Sequence, residues 1–142
     1  MPDKIYISWE EFHRQTKELA SAIKAKGSFN KIIAISRGGL LPAGILAYEL
    51  DIRNSQAINI SSYDGDQARR DGEIEISASV GEVDEQTLIV DDLSDTGRTF
   101  NLLRPLFPQA CYVAVYAKPK GAAVVDIYAA DIPDQWIVFP WD

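Results

Sequence analysis

One short stretch in the second half of the chain carries residue types that can do chemistry. The apolar run at 88–90 leads into two carboxylates and a small polar loop: Asp91, Asp92, Leu93, Ser94, Asp95, Thr96, Gly97, Arg98 and Thr99. Free amides and hydroxyl groups ahead of a helix can cradle a phosphate, and glycine lets the backbone approach it closely. The paired carboxylates suit ribose hydroxyls or a hard cation such as Mg²⁺. The pattern indicates a site for a phosphorylated sugar bridged by metal.

Two other kinds of site share parts of this pattern. A receiver-type domain also has a strand that ends in an aspartate pair, but there several βα units follow the pair, whereas only 50 residues follow Asp92 here. The Gly-x-x-x-x-Gly-Lys-Ser/Thr sequence of a Walker P-loop is absent from the chain. Both alternatives are therefore disfavoured.

Alternating strands and helices must position these residues. Ser8 and Glu11 have capping-box spacing, so a helix is predicted to follow Ser8 and to end at Gly27. Its predicted buried stripe is Trp9, Phe12, Thr16, Leu19 and Ile23. Strands are predicted at 31–36, 56–61, 86–90, 111–117 and 124–129, with an edge strand at 73–78. Further helices are predicted to begin at Pro42 and after the polar loop, the latter with Phe100, Leu103 and Leu106 on one face.

This order of elements predicts the α/β class, a single domain with a mostly parallel, twisted sheet flanked by helices. Ligands in such sheets bind beyond the carboxyl ends of the strands. The Arg37-Gly38-Gly39 turn and the polar loop both lie at predicted strand ends. They are therefore expected to face one ligand.

Composition narrows the class of function. The 142 residues carry a net charge of -7, and 11 of the 21 acidic residues fall within 64–95 against only Arg69 and Arg70. That balance argues against binding to duplex nucleic acid, which needs clustered positive charge. No apolar run approaches the roughly 20 residues of a transmembrane segment. The single cysteine, Cys111, fits a reducing compartment, so a cytoplasmic location is expected.

The motifs together match a known family. The segment at 88–99 resembles the phosphoribosyl pyrophosphate (PRPP) motif of type I phosphoribosyltransferases, with an apolar strand, two acidic residues and then Asp-Thr-Gly-x-Thr. Other stretches resemble the bacterial xanthine-guanine branch, in the same order along nearly the whole chain: 33–40 with Pro42, 60–64, 117–119, 131–133, 136–137 and 140–142. The resemblance implies the type I phosphoribosyltransferase fold with a small C-terminal hood. It also implies Mg²⁺-dependent transfer of ribose 5-phosphate from PRPP to a purine, with release of pyrophosphate.

The resemblance implies roles for the phosphate-binding residues. Arg37 and Gly38 match the pyrophosphate-binding turn, where a non-proline cis peptide is expected, and Arg69 matches a residue of a mobile loop at about 62–80. Asp91 and Asp92 match the carboxylates that contact ribose, with Asp92 as the metal ligand. Residues 95–99 match the 5′-phosphate cradle. Arg70 remains an alternative to Arg69.

The base-binding residues follow from the same resemblance. Asp95 matches the residue beside N7 of the purine, where a carboxylate can accept the proton lost during attack by N9. Lys118 matches the donor to the 6-oxo group, which favours guanine, xanthine and hypoxanthine over adenine. Trp136 matches the aromatic side chain that stacks on the base, and Ile137 supplies backbone groups to its edge. Residues 131–142 would form the hood over the base, with Trp141 as a structural residue.

Three departures from the branch bear on substrate choice and assembly. Arg98 stands where the xanthine-guanine enzymes have glycine, Val138 replaces a polar residue near the 2-position, and the chain stops at Asp142 where relatives continue. The family forms homodimers and homotetramers, and peripheral membrane association is implied by resemblance only. A regulator that binds a nucleotide without catalysis, and a transferase acting on another base, remain the alternatives.

Overall fold

The computed structural model describes residues 3–62, 74–76 and 80–142. The strands are β1 (Lys4–Tyr6), β2 (Lys31–Ser36), β3 (Asn54–Ser62), β4 (Ile74–Ile76), β5 (Thr87–Ser94), β6 (Cys111–Ala117), β7 (Ile127–Asp131) and β8 (Trp136–Val138). The helices are α1 (Trp9–Lys26), α2 (Leu40–Glu49), α3 (Arg98–Leu103) and α4 (Pro119–Ala122). They include the predicted strands and helices together with three short elements that the sequence did not predict, β1, α4 and β8.

The main sheet has six strands in the order β4-β3-β2-β5-β6-β7. Five neighbouring strands, β3, β2, β5, β6 and β7, pair in parallel. Strand β4 pairs with β3 at the edge of the sheet and is antiparallel to it. The predicted α/β class with a mostly parallel sheet is therefore confirmed, as is the edge position of the strand near 73–78. Within the described residues, no helix is both long and apolar enough to cross a membrane.

Apolar residues fill both faces of the sheet. On β2, Ile32 and Ala34 belong to the core that α1 and α2 cover, whereas Ile33 and Ile35 belong to the core beneath α3. A strand buried on both faces needs a continuous apolar run rather than an alternating one. The predicted bounds of β2 and β6, the two most continuous runs, are accordingly those that the structure has.

The first helix follows its prediction with one correction. The Ser8 hydroxyl accepts a hydrogen bond from the backbone amide of Glu11 at 3.0 Å, and the amide of Gly27 closes the other end. Four of the five predicted stripe residues are buried, but Trp9 is 55% exposed. Trp9 is the first residue of α1 and lies beside Trp141, with ring centroids 5.9 Å apart, rather than beneath the helix.

Several predicted element ends differ from the structure. Helix α2 begins at Leu40 rather than Pro42, and β3 spans Asn54–Ser62 rather than 56–61. Strand β5 continues past Val90 to Ser94, because its pairing with β6 runs on to Ala117. Strand β7 begins at Ile127 instead of 124. Directly before it, the side chain of Asp126 accepts a hydrogen bond from the backbone amide of Tyr112 at 2.8 Å. Helix α3 ends at Leu103, so Leu106 lies beyond it and is exposed.

The two ends of the chain form a small second sheet. Strand β8 pairs in parallel with β1, and the ring of Trp141 stacks on Phe139 at 4.7 Å and meets the edge of Phe12 at 5.0 Å. These aromatic contacts anchor the carboxyl-terminal segment to α1. They agree with the interpretation of Trp141 as a structural residue.

Candidate active site

Most of the predicted site residues that the structure describes lie where the carboxyl ends of β2, β5 and β6 meet, whereas Trp136 and Ile137 lie on β8. The chain leaves β2 toward β3 on one side, while β5 lies on the other, so the strand order reverses between β2 and β5. Doubly wound sheets bind their ligands at such a reversal. The turn after β2, the end of β5 and Lys118 after β6 all lie at this edge of the sheet.

The turn after β2 packs directly on the acidic pair. The Ser36–Arg37 peptide is cis, as the resemblance implies, and the Arg37 side chain is exposed. A Cβ atom added to Gly38 would lie 2.5 Å from Oδ2 of Asp92, closer than any ordinary contact. Glycine at position 38 therefore lets the turn and the Asp92 carboxylate approach one another.

The two carboxylates share a restricted environment. The backbone amide of Asp92 donates to Oδ1 of Asp91 at 2.8 Å. Burial, followed by the like charge of Asp92, raises the pKa of the Asp91 carboxyl well above its usual value. Burial also raises the pKa of Asp92. Because burial and mutual repulsion disfavour the ionised forms of these carboxylates, a nearby cation or hydroxyl donors would stabilise them.

We expect Asp91→Asn to stabilise the free protein at neutral pH. A raised pKa means that the folded state holds a proton that the unfolded state releases, so stability falls as pH rises through that window. Asparagine removes this loss, and a gain of roughly 1 kcal/mol would raise Tm by about 3 °C.

The check is Tm as a function of pH in EDTA, with Glu85→Gln as a control, because Glu85 is exposed at the opposite end of β5. The difference between Asp91→Asn and the natural chain should grow from pH 4 to pH 8. A difference that stays constant over this range would contradict the assignment.

The polar loop after β5 encloses two adjoining cavities. The smaller one, of about 80 Å³, is lined by residues 93–100 with Asp91. The larger one, of about 360 Å³, also reaches Gly38 and Asp92, and Arg98 and Thr99 line both. Of the described residues predicted to hold phosphate and ribose, all but Arg37 line one or both of these cavities, which share Asp91, Arg98 and Thr99.

Glycine at position 97 shapes this loop. Its φ of 86° lies in the left-handed region that other residues rarely adopt, and an added Cβ would overlap the side chain of Val124. The amide of Arg98 donates to the Thr96 hydroxyl at 3.3 Å. Glycine at position 97 therefore allows the tight turn that precedes α3.

The structure brings Asp95 and Lys118 together. Lys118 is buried, and its Nζ lies 3.4 Å from each carboxylate oxygen of Asp95. The backbone amide of Lys118 also donates to the carbonyl of Ser94 at 3.0 Å, which fixes the two segments side by side. A carboxylate and an ammonium group thus lie next to each other, and Asp95 lines the smaller cavity.

Two residues that sequence reasoning missed complete this corner. Asp134 lies 3.8 Å from Nζ of Lys118, and the carbonyl of Gly121 accepts from the Ser94 hydroxyl at 2.9 Å. Both contacts join segments far apart in sequence, so no local pattern reveals them. The only available signals were their places, Asp134 directly after the 131–133 motif and Gly121 two residues after Pro119.

The predicted base-stacking segment has a mixed arrangement. Trp136 is 68% exposed, so one large aromatic face is open, whereas the side chain of Ile137 is buried in the core. The two residues pair with Lys4 and Ile5 of β1. Only the backbone of Ile137 is therefore suited to contact a ligand. Arg69 and most of the predicted loop at 62–80 lie outside the described residues.

Comparison with known proteins agrees with the resemblance in the motifs. The phosphoribosyl transferase domain family matches residues 6–142. Xanthine-guanine phosphoribosyltransferase from Idiomarina loihiensis is 46% identical over 140 residues, covering 98% of this chain and 87% of that protein. The enzyme of the same name from Desulfotalea psychrophila is 45% identical over 137 residues, covering 96% and 84%.

Solved structures show the same fold. Purine phosphoribosyltransferase from Pyrococcus horikoshii superimposes with a TM-score of 0.83 at 29% identity, covering 98% of this chain and 94% of that one. Xanthine-guanine-hypoxanthine phosphoribosyltransferase from Helicobacter pylori gives a TM-score of 0.80 at 23% identity and the same coverage, a likeness of fold alone. A family match over all but the first five residues, with two relatives near half identity, places this chain in the phosphoribosyltransferase family.

Proposed function

We propose that this enzyme transfers ribose 5-phosphate from PRPP to a 6-oxopurine in Mg²⁺-dependent purine salvage in the cytoplasm. Guanine, xanthine and hypoxanthine would give GMP, XMP and IMP together with pyrophosphate. The observation that carries the proposal is the contact between Asp95 and Lys118 at the edge of the sugar-phosphate cavities. The names of the two relatives, both xanthine-guanine phosphoribosyltransferases, support the same substrate class.

The Asp95 and Lys118 pair suits one edge of a 6-oxopurine. N7 and the 6-oxo group are neighbours on the purine, just as the carboxylate and the ammonium are neighbours here. An ammonium group has three donors and no acceptor, so it favours a 6-oxo group over the 6-amino group of adenine. Asp95 accepts the proton at N7 as N9 attacks the anomeric carbon. Trp136, whose ring is exposed, stacks on the base.

The carboxylate pair is suited to both ribose and Mg²⁺. Among the described residues, no cluster holds three or more histidine, cysteine, aspartate or glutamate side chains. Mg²⁺ commonly takes one or two protein carboxylates and completes its shell with substrate oxygens and water, so Asp92, beside Asp91, fits as a ligand. When bound, the ion neutralises charge on the departing pyrophosphate. The raised pKa values of Asp91 and Asp92 agree with this role, because a bound cation would stabilise the ionised forms of both carboxylates.

The other predicted phosphate-binding residues contact the two ends of PRPP, the pyrophosphate and the 5′-phosphate. The exposed Arg37 and the backbone at Gly38 bind pyrophosphate, and residues 95–99 hold the 5′-phosphate, with Arg98 between the two cavities. As the bond to pyrophosphate breaks, positive charge develops on the ribose ring. Asp91 and Asp92 face that ring and stabilise the charge electrostatically.

The test is a direct assay of pyrophosphate release from PRPP and Mg²⁺ with guanine, xanthine, hypoxanthine, adenine and uracil in turn. We expect release with 6-oxopurines and its loss when EDTA replaces Mg²⁺. Release with uracil alone would indicate a transferase for another base. Nucleotide binding without release from any base would indicate the non-catalytic regulator and would overturn the proposal.

Assembly belongs to the same proposal, since the family resemblance implies a homodimer or homotetramer. Helix α2 carries an uncharged outer stripe of Leu40, Gly44 and Tyr48, beside a cavity of about 620 Å³ against β3. Asp51 and Arg53 line the same cavity. In a dimer related by a twofold axis, Asp51 of each copy would face Arg53 of the other, and the two uncharged stripes would pack together. This face is our proposed dimer contact.

We expect Tyr48→Glu to halve the mass of the assembly, because Tyr48 has the most exposed side chain of this stripe, at 91%, and a buried carboxylate is costly. Light scattering after size exclusion measures the mass against the 15.7 kDa chain. Tyr6→Glu is the matched control, since Tyr6 is also exposed, at 72%, but lies on β1. A monomeric natural chain, or equal effects of both variants, would contradict this contact.

A further inference from the structure

The ammonium group of Lys118 lies within ion-pair distance of two carboxylates rather than one. It is 3.4 Å from both oxygens of Asp95 and 3.8 Å from Oδ1 of Asp134. The lysine side chain is only 10% exposed, whereas that of Asp134 is 80% exposed. The three residues come from three separate segments: the loop after β5, the end of β6 and the turn before β8.

Backbone contacts hold the turn of Asp134 over Lys118. The amide of Ile132 donates to the carbonyl of Ala117 at 3.0 Å, so the chain leaves β7 directly beside the residue that precedes Lys118. The amide of Gln135 then donates to the carbonyl of Pro133 at 2.8 Å, which closes a tight turn around Asp134. The carboxylate is therefore presented by a constrained segment and not by a loose tail.

A contribution to stability does not explain this contact. An ion pair with one largely exposed partner contributes on the order of 0–1 kcal/mol. The ion pair has a larger effect on the orientation of the ammonium group. Lysine has a flexible four-carbon stem, and without a partner its three donors rotate freely. With a hydrogen bond to Asp95 and the negative charge of Asp134 at 3.8 Å, the ammonium group is restricted in position, and its remaining donors are restricted in direction.

We propose that Asp134 is a positioning residue that aims the Lys118 ammonium at the 6-oxo group of the purine. The inference rests on the proposed function and adds a specificity role to the hood. Asp95 alone holds the ammonium from one side and must also serve N7 of the base. Asp134 is a second negative charge at 3.8 Å, so the Lys118 ammonium keeps its position when Asp95 turns to the substrate.

Comparing guanine with 2,6-diaminopurine tests this role, because 2,6-diaminopurine has an amino group in place of the 6-oxo group and consequently lacks the proton that guanine carries on N1. For Asp134→Asn we expect kcat/KM with guanine to fall roughly 5- to 20-fold, mainly through KM, with KM for PRPP changed less than about twofold. The inhibition constant of 2,6-diaminopurine should change less than about twofold, since that base never receives the aimed donor.

Two comparisons separate positioning from a structural effect. Asp131→Asn is the matched control, because it removes the same charge three residues earlier, where the carboxylate accepts from the hydroxyl of Tyr128 at 2.7 Å. In a Lys118→Met background, which has no ammonium to aim, Asp134→Asn should have no further effect on guanine binding.

Three results would overturn the inference: equal effects of Asp134→Asn and Asp131→Asn, equal losses for guanine and 2,6-diaminopurine, or an undiminished effect in the Lys118→Met background. Failure of the proposed function would look different. In that case the natural chain itself would release no pyrophosphate with guanine.

Discussion

Replacing Asp95 by asparagine is expected to lower kcat with guanine by about 10²- to 10⁴-fold, the usual contribution of a positioned proton acceptor. Asparagine has the same shape and can still accept a hydrogen bond from Lys118, which lies 3.4 Å away. It cannot take the proton that N7 presents as N9 attacks. The loss should therefore fall on the chemical step, while KM for PRPP should change by less than about threefold.

Steady-state kinetics with guanine and PRPP varied in turn separate these quantities. Glu85→Gln provides the control, since it removes one unit of negative charge from an exposed position at the far end of β5 and should leave kcat unchanged. An isosteric Asp95→Asn enzyme with near-natural kcat would remove Asp95 from the mechanism. A rise in KM for PRPP that matches the loss in kcat/KM would make Asp95 a binding residue instead.

The sequence predicts most of the sheet because burial on both faces leaves a strong pattern. The strands at Lys31–Ser36 and Cys111–Ala117 are continuous apolar runs bounded by turn residues or charge, and their predicted limits are correct. The end of β5 was predicted too early, because Asp91 and Asp92 interrupt the apolar run. Backbone pairing with β6 nevertheless continues to Ser94, and side-chain polarity alone does not reveal it.

Contacts between distant segments account for the remaining differences. Parallel pairing of β1 with β8 joins the two ends of the described chain, and nothing local to Lys4–Tyr6 indicates this partner. The same holds at the site. The sequence supplies Asp95 and Lys118 as separate candidates, but only the fold shows that Asp134 meets the lysine and that Gly121 lies against Ser94.

Gly121→Ala is the substitution from which we expect the largest combined loss of stability and activity. Helix α4 is a single turn, and an added Cβ at Gly121 would overlap the backbone carbonyl of Ser94 and lie 2.7 Å from its Oγ. Two hydrogen bonds cross this contact, from the amide of Lys118 to the Ser94 carbonyl and from the Ser94 hydroxyl to the Gly121 carbonyl. A backbone carbonyl cannot turn away as a side chain can, so α4 must move.

The shift of α4 should carry Lys118 away from Asp95, because Lys118 caps the amino end of this turn. We expect the free energy of unfolding to fall by roughly 2–4 kcal/mol, as overpacking and two lost hydrogen bonds require. Misplacement of a substrate-orienting group by about 1 Å can cost 10²-fold, so kcat/KM with guanine should fall by about that factor in the folded enzyme.

Urea unfolding and kinetics at a temperature where the variant is folded measure the two losses separately. Gly27→Ala is the matched control, since a Cβ there meets nothing within 4 Å, and it should change stability by less than about 0.5 kcal/mol. If Gly121→Ala does not fold, Ser94→Ala still tests the contact between Ser94 and α4. This variant removes only the hydroxyl hydrogen bond and should cost about 1 kcal/mol. A Gly121→Ala enzyme as stable and active as the Gly27→Ala control would show that α4 is not held against Ser94. The inferred role of this packing in placing Lys118 beside Asp95 would then be wrong.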